Sequence, residues 1–123
     1  MVVLELPFPP SLNSYYRSPN VGSLSGRTLI SKKGREYRRK VILASRIGAQ
    51  RAPEGRLEVH IQAFPPDRRR RDLDNMLKAL LDGMTHASVF EDDSLIDVLS
   101  VERFAPCPGG KVRVFISAHE PEV

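Results

Sequence analysis

The residues best suited to chemistry fall in one stretch, Asp67-Arg68-Arg69-Arg70-Arg71-Asp72-Leu73-Asp74-Asn75, with Lys78 one helical turn further on. Four consecutive arginines are costly to pack. They belong in water or against phosphate, whose oxygens a guanidinium fork meets with two parallel hydrogen bonds. Asp72 and Asp74 are two residues apart, and at a strand end positions i and i+2 point to the same side. Both carboxylates can therefore meet one hard cation through oxygen. Asp74 and Lys78 are four apart and lie side by side on a helix. A second acidic cluster, Glu91-Asp92-Asp93, follows that helix. The helix dipole is negative there, so three adjacent acids repel one another and the helix end unless a cation or a basic partner is present. Return of the chain could carry one of them towards Asp72 and Asp74. Carboxylates beside a lysine and arginines suit Mg2+-dependent phosphodiester hydrolysis. The metal activates water and offsets charge on the phosphate, while the lysine stabilises the transition state or positions the water.

Each piece has a plainer reading. Asp72 could cap a helix. Asp74 and Lys78 could form a surface ion pair contributing about 0.3–0.5 kcal/mol. The arginine run could be a solvated loop or a non-catalytic nucleic-acid patch, and Glu91-Asp92-Asp93 a polar turn.

Charge favours a polyanionic ligand. The 123 residues carry 19 Lys+Arg against 15 Asp+Glu, a net charge of +4. Residues 27–51 hold nine basic residues and the single acid Glu36, whereas residues 86–123 hold seven acids and three basic residues. Other chemistries drop out. The single cysteine, Cys107, allows no intrachain disulfide and no cysteine zinc site. His60, His86 and His119 are scattered without metal-ligand spacing, and there is no Gly-rich phosphate loop or dinucleotide fingerprint, so no nucleotide cofactor is expected. Residues 1–6 lack the basic and apolar regions of a signal peptide, and no apolar run is long enough to span a bilayer. The expected location is the cytoplasm, with no membrane partner.

The elements that must position the acids follow from periodicity. Residues 2–6 read as a strand stopped by Pro7, Pro9 and Pro10. Residues 11–26, rich in Ser, Asn, Gly and Pro, read as a partly mobile loop with Tyr15, Tyr16 and Arg17 exposed. Ser31 is the N-cap of a helix whose buried stripe is Tyr37, Val41, Ala44, Ser45 and Gly48. Arg35, Arg38, Arg39 and Arg46 fall on its other faces, towards water or phosphate. Leu57, Val59, Ile61 and Ala63 alternate with polar residues as a half-buried strand. A second helix spans about residues 73–86. Residues 95–104 and 111–118 read as two closing strands joined by a hairpin at 106–110. The expectation is a single α+β domain over residues 1–123, in the order βαβαββ, with two helices packed on a mixed sheet.

The DRRRRDLDN stretch with Lys78, then Val89-Phe90-Glu91-Asp92-Asp93, resembles the RusA family of Holliday-junction resolvases, small endodeoxyribonucleases often encoded by prophages. Pro9 to Arg17 (PPSLNSYYR) is similar to that family's opening motif, and Ser31, Gly34 and Tyr37 to its next one. The resemblance spans nearly the whole chain, in order. It implies metal-binding carboxylates at Asp72, Asp74 and Asp93, with Asp92 the open alternative to Asp93, and an essential lysine at Lys78. Arg71 and Asn75 match positions at the edge of the same site. It also implies Mg2+ (with Mn2+ substituting), four-way DNA junctions as substrate, DNA repair or recombination as setting, and a homodimer. Two symmetric nicks need two sites, and one small domain supplies one. Arg68, Arg69, Arg70, Arg71 and Asn75, with Lys32, Lys33, Arg35, Arg38 and Arg39 of the first helix, are the candidate DNA contacts. Phe90 is either a core residue or an apolar wedge at the junction centre. Two other readings stay open: a non-catalytic nucleic-acid-binding protein, and a less selective nuclease of branched DNA.

Overall fold

The computed structural model describes residues 1–19, 22–23, 26–47 and 51–120. Gly48 and part of the 11–26 segment lie outside these residues. A four-stranded mixed sheet forms the base, with strands β1 (Val2–Leu6), β4 (Leu57–Phe64), β5 (Ile96–Arg103) and β6 (Lys111–Ala118) in the order β1-β6-β4-β5. Helices α2 (Lys32–Arg46) and α3 (Asp74–His86) provide the second layer. The alternation read in the sequence explains the layering. Leu57, Val59, Ile61 and Ala63 of β4, and Val112, Val114 and Ile116 of β6, turn one face inward and are essentially inaccessible. They meet Tyr37 and Val41 of α2 and Met76, Ala79, Leu80 and Met84 of α3 in one apolar cluster.

Two expectations are corrected. The first concerns the closing strands. β5 and β6 do not pair as a hairpin; β4 lies between them, parallel to β5 and antiparallel to β6. The cause is the helix that precedes β5. A strand–helix–strand unit returns the chain parallel to its first strand, so β5 takes one side of β4 and leaves β6 the other. The link from β5 to β6 therefore crosses over the end of β4, where Phe104 N–H donates to Ala63 O at 2.8 Å and Cys107 N–H donates to Pro65 O at 2.9 Å. Gly110 lets it lie flat: its φ is +68°, and a Cβ there would sit 2.9 Å from both Phe8 and Pro66.

The second concerns residues 11–26. The first part of this segment is a short helix, α1 (Leu12–Tyr15), capped by the Ser11 side chain, which accepts from Ser14 N–H. It leads into β2 (Tyr16–Arg17), which pairs with β3 (Leu29–Ile30). Tyr15 is fully buried rather than exposed. Burial of one aromatic ring outweighs the polar, loop-like composition around it.

Ser31 caps α2 as its spacing predicts, accepting from Gly34 N–H at 3.0 Å, and its hydroxyl also donates to Tyr15 O at 2.9 Å. The first turn of α2 thus packs directly on α1. At Gly34 an added Cβ would stand 2.4 Å from Tyr15 O, a backbone atom that cannot rotate away. Alanine is the better helix former by about 1 kcal/mol, but the overlap is the larger effect. Gly34→Ala should lose about 1–3 kcal/mol of stability, measured as a lower urea midpoint; an unchanged or raised midpoint would refute this packing.

Candidate nucleic-acid and metal site

β4 ends at Pro65-Pro66, which cannot continue a sheet, and the chain emerges into the arginine run. Asp67 folds that run back on itself. Its Oδ1 accepts from the Arg69 amide at 2.9 Å and from Arg71 Nη1 at 2.7 Å, and Arg69 Nε lies 3.3 Å from Oδ2. The bound Arg71 guanidinium, followed by the Arg69 amide, holds the Asp67 carboxyl far below the usual carboxylate range. Arg71 also stacks its guanidinium 5.7 Å from the Phe8 ring centre, and Arg103 donates to the Arg71 carbonyl. Arg68 and Arg70 stay exposed and form no ion pair among the described residues.

Two adjoining clefts follow from this arrangement. One, of about 360 Å3, lies between the Phe8–Pro9–Ser11 segment and Arg70, Arg71, Asp72, Asn75 and Arg103. The other, of about 670 Å3, shares Arg70 and Arg71 and runs on to Lys33, Glu36, Tyr37 and Lys40 of α2. The result is a groove whose walls carry six cations and two acids, Asp72 and Glu36. Its charge and depth suit a phosphate backbone.

Asp72 and Asp74 sit at the start of α3, both exposed. Asp72 is not the N-cap; Leu73 holds that position with no side-chain cap bond, and Asp72 contributes only its carbonyl, to Asn75 N–H at 3.1 Å. The Asp74–Lys78 ion pair is also absent: among the described residues neither side chain has a salt-bridge partner, and Lys78 is exposed. Both acids therefore keep their oxygens uncommitted. Asp93 opens a short 3-10 turn, Asp93–Leu95, packed next to α3, and is half-buried. Asp92 is exposed and engaged: Ser94 Oγ donates to its Oδ2 at 2.6 Å, and this bond lowers its pKa. Among the described residues, no three His, Cys, Asp or Glu side chains converge as a metal cluster. The donors have the right chemistry for a hard cation, all carboxylate oxygen with two members unpaired, but the three acids do not meet within one chain.

The α2 candidates divide. Lys32, Lys33, Arg35 and Arg39 are exposed, with Arg35 Nη1 donating to Ile30 O at 3.1 Å. Arg38 is corrected: it points inward, pairing with Asp82 at 2.8 Å and donating from Nε to the Tyr15 hydroxyl at 2.9 Å. Its guanidinium is therefore already engaged within the protein. Phe90 is 3% exposed and belongs to the core, so the wedge reading is also withdrawn. Two groove residues were missed. Lys40 lies seven residues after Lys33, a spacing that puts both on one helix face and was readable. Arg103 reaches the groove only through the parallel β4–β5 register, Ala63 opposite Arg103, which the hairpin expectation concealed.

The family model for endodeoxyribonuclease RusA matches residues 7–117. A crossover junction endodeoxyribonuclease of Enterobacteria phage HK97 is 40% identical over 116 residues, covering 94% of this chain and 92% of that protein. The protein of that name in Enterobacteria phage 82 is 38% identical over 117 residues, and that of Shigella sonnei 37% over 119, each covering 93% of this chain and 92% of the relative.

Asp67 orders the groove wall while lying at the surface, so its loss should act locally. Asp67→Asn should leave the urea midpoint nearly unchanged and speed trypsin cleavage within residues 68–71. In the wild type the carboxyl's depressed pKa means the contribution is complete above the ordinary aspartate range and is lost only as pH falls through the lower folded value. Cleavage of the variant at the wild-type rate would show that Asp67 does not hold the run.

Proposed function

The chain belongs to the RusA family of endodeoxyribonucleases, and from that premise we propose that it is a Mg2+-dependent, structure-selective nuclease that resolves four-way DNA junctions as a homodimer by paired symmetric nicks. The observation that carries this reading is an uncommitted carboxylate, Asp72, lining a groove walled by Arg70, Arg71, Arg103, Lys33 and Lys40, with a second, Asp74, exposed two residues further on at the start of α3. A plain binding surface has no use for bare acids beside a phosphate path, because they repel it.

Asp72 and Asp74 would hold the cation, with Asp93 the third ligand that the family resemblance implies. The Ser94 bond to Asp92 favours Asp93 as the third ligand. When bound, the cation supplies Lewis acidity towards water and the scissile phosphate. This chain's own groups do the rest. The arginines and lysines of the groove seat the phosphate backbone on either side of the acids. Lys78, four residues after Asp74 and free of any ion pair, presents an ammonium to offset charge growing on the phosphate oxygens in the transition state. Asn75, half-buried in the smaller cleft, has its backbone held by Asp72 O and offers its side-chain amide to a phosphate oxygen.

The decisive assay uses purified protein, a labelled four-way junction, a flap and a matched linear duplex, with Mg2+ or EDTA. Junction nicking in Mg2+ alone is expected. Asp74→Asn should lower nicking by 100-fold or more while binding the junction as tightly or more tightly, since it removes a negative charge facing phosphate. Lys78→Ala should fold and bind but cut poorly. Binding without Mg2+-dependent nicking would make the chain a non-catalytic binder, and equal cutting of flap and junction a broader nuclease.

A further inference from the structure

The groove has one member that a phosphate path does not explain. Glu36 of α2 lines the larger cleft among Lys33, Lys40, Arg69, Arg70 and Arg71. It is half-buried and, among the described residues, makes no hydrogen bond or ion pair. Partners are close in sequence. Lys40 lies four residues on, the favourable order for a helical Glu–Lys pair, and Lys33 three residues back. Neither takes it, and across the cleft Arg69 and Arg71 are held by Asp67. We propose that Glu36 reads a base: its carboxylate accepts from the exocyclic amino group of a paired base beside the scissile phosphate. The proposal rests on the nuclease reading above and adds to it a residue that sets sequence preference.

A bare carboxylate in a cationic groove repels phosphate, so its counterpart on DNA is a hydrogen-bond donor. Phosphate and deoxyribose within a strand carry none. In a duplex arm the ring N–H groups are used in pairing. The amino groups of cytosine and adenine keep a hydrogen towards the major groove, and that of guanine keeps one towards the minor groove. Thymine presents only acceptors on both edges and repels a carboxylate. The residues around Glu36 suit this contact. Lys33, Glu36 and Lys40 are three and four apart and share one helix face, so two ammonium groups bracket the carboxylate. Cations on the backbone fix register, and the acid between them meets a base edge. Pro9, Pro10 and Pro66 add apolar surface to the same cleft, which suits sugar rings. A metal ion is the poorer occupant, because Glu36 is the only acid lining this cleft and cations surround it. The cleft shares Phe8, Pro9, Arg70 and Arg71 with the smaller one that holds Asp72. A base held here is therefore a near neighbour of the phosphate beside the acids, and reading it selects where the strand is cut.

The test is cutting by the full chain of four-way junctions with randomised bases around the crossover, in Mg2+, with the products sequenced and urea midpoints as checks of folding. At one position, fixed relative to the nick, the wild type should disfavour thymine by about 10-fold or more. Glu36→Ala should flatten the preference at that position and leave those at other positions in place. Glu36→Gln, whose amide both donates and accepts, should admit thymine there. Purine, hypoxanthine or pyrimidinone in place of adenine, guanine or cytosine removes the amino group alone. The wild type should cut junctions so substituted at that position about 10-fold less than their parents, whereas Glu36→Ala should cut each as it cuts its parent. A preference that survives in folded Glu36→Ala overturns the proposal. So does a uniform gain in binding to every sequence with unchanged preference, which would make Glu36 a brake on phosphate binding and nothing more. Mg2+-dependent nicking by the wild type without discrimination against thymine removes the base contact and leaves the nuclease reading standing. If the wild type does not nick, the nuclease reading fails, and competition binding of the same junctions in EDTA decides the base contact by the same thymine and amino-group comparisons.

Discussion

Three helices meet at the carboxylate of Asp82. Tyr15 from α1 donates its hydroxyl to Oδ2, and Arg38 from α2 donates Nε to the same oxygen at 2.9 Å and pairs through Nη2 at 2.8 Å. Tyr15 is inaccessible, so its hydroxyl needs a partner inside the protein. Desolvation of the ring and the bond to Asp82 push that hydroxyl far above its ordinary pKa, so it stays a donor. Asp82 and Arg38 are each about a quarter exposed, with side-chain exposures of 23% and 24%, so solvent weakens their attraction only in part. Removing one partner would strand a half-buried polar group, at a cost of order 1–3 kcal/mol. The larger consequence is geometric. Asp82 lies on the helix that begins at Asp74 and carries Lys78, so whatever fixes its rotation fixes theirs. Tyr15 follows the Phe8–Pro9–Ser11 wall of the groove, and Arg38 lies between Lys33 and Lys40 on α2. One three-way contact sets the relation between the acids, the lysine and both groove walls.

That contact explains which parts of the molecule could be read from the sequence. The Ser31 cap, the Tyr37–Val41 stripe, the alternation of β4 and the span of α3 are local patterns, decided by neighbours a few residues apart, and they appear where expected. Tyr15 and Arg38 were placed at the surface because their partner is remote: Asp82 follows Tyr15 by 67 residues and Arg38 by 44. Composition cannot separate an arginine facing phosphate from one facing a half-buried aspartate. The pairing of the last two strands failed for a different reason. Residues 96–103 and 111–118, joined by a Gly- and Pro-rich link, satisfy a hairpin locally. Only the helix before β5 fixes the parallel return, and only the depth of burial tells the central strand from the edge. Val112, Val114 and Ile116 are fully buried, whereas Leu99 of β5 is 40% exposed.

The candidate site shows the same division between residue identity and placement. The arginines and the acids were legible as a conjunction, but the expectation that Asp93 returns to Asp72 and Asp74 within one chain is not met. What the fold supplies instead is separation of charge at close range. Aspartates flank the four arginines of residues 67–74 on both sides, and in solution any of these acids could neutralise a neighbouring guanidinium. Here Asp67 takes Arg69 and Arg71 together, and the Phe8 ring takes one face of Arg71. Arg71 is thereby engaged by Asp67 and not by Asp72, its neighbour in sequence, while Asp72 and Asp74 stay exposed at the start of α3. A phosphate diester entering this groove meets cations already oriented and carboxylates not yet used. Asp67 therefore acts on the chemistry without touching it: its surface ion pairs add little to stability, but they decide which carboxylates remain available. The same reasoning makes charge reversal or neutralisation at Asp67 more damaging to the site than to the fold, because the freed Arg71 would turn towards the nearest unpaired acid, Asp72.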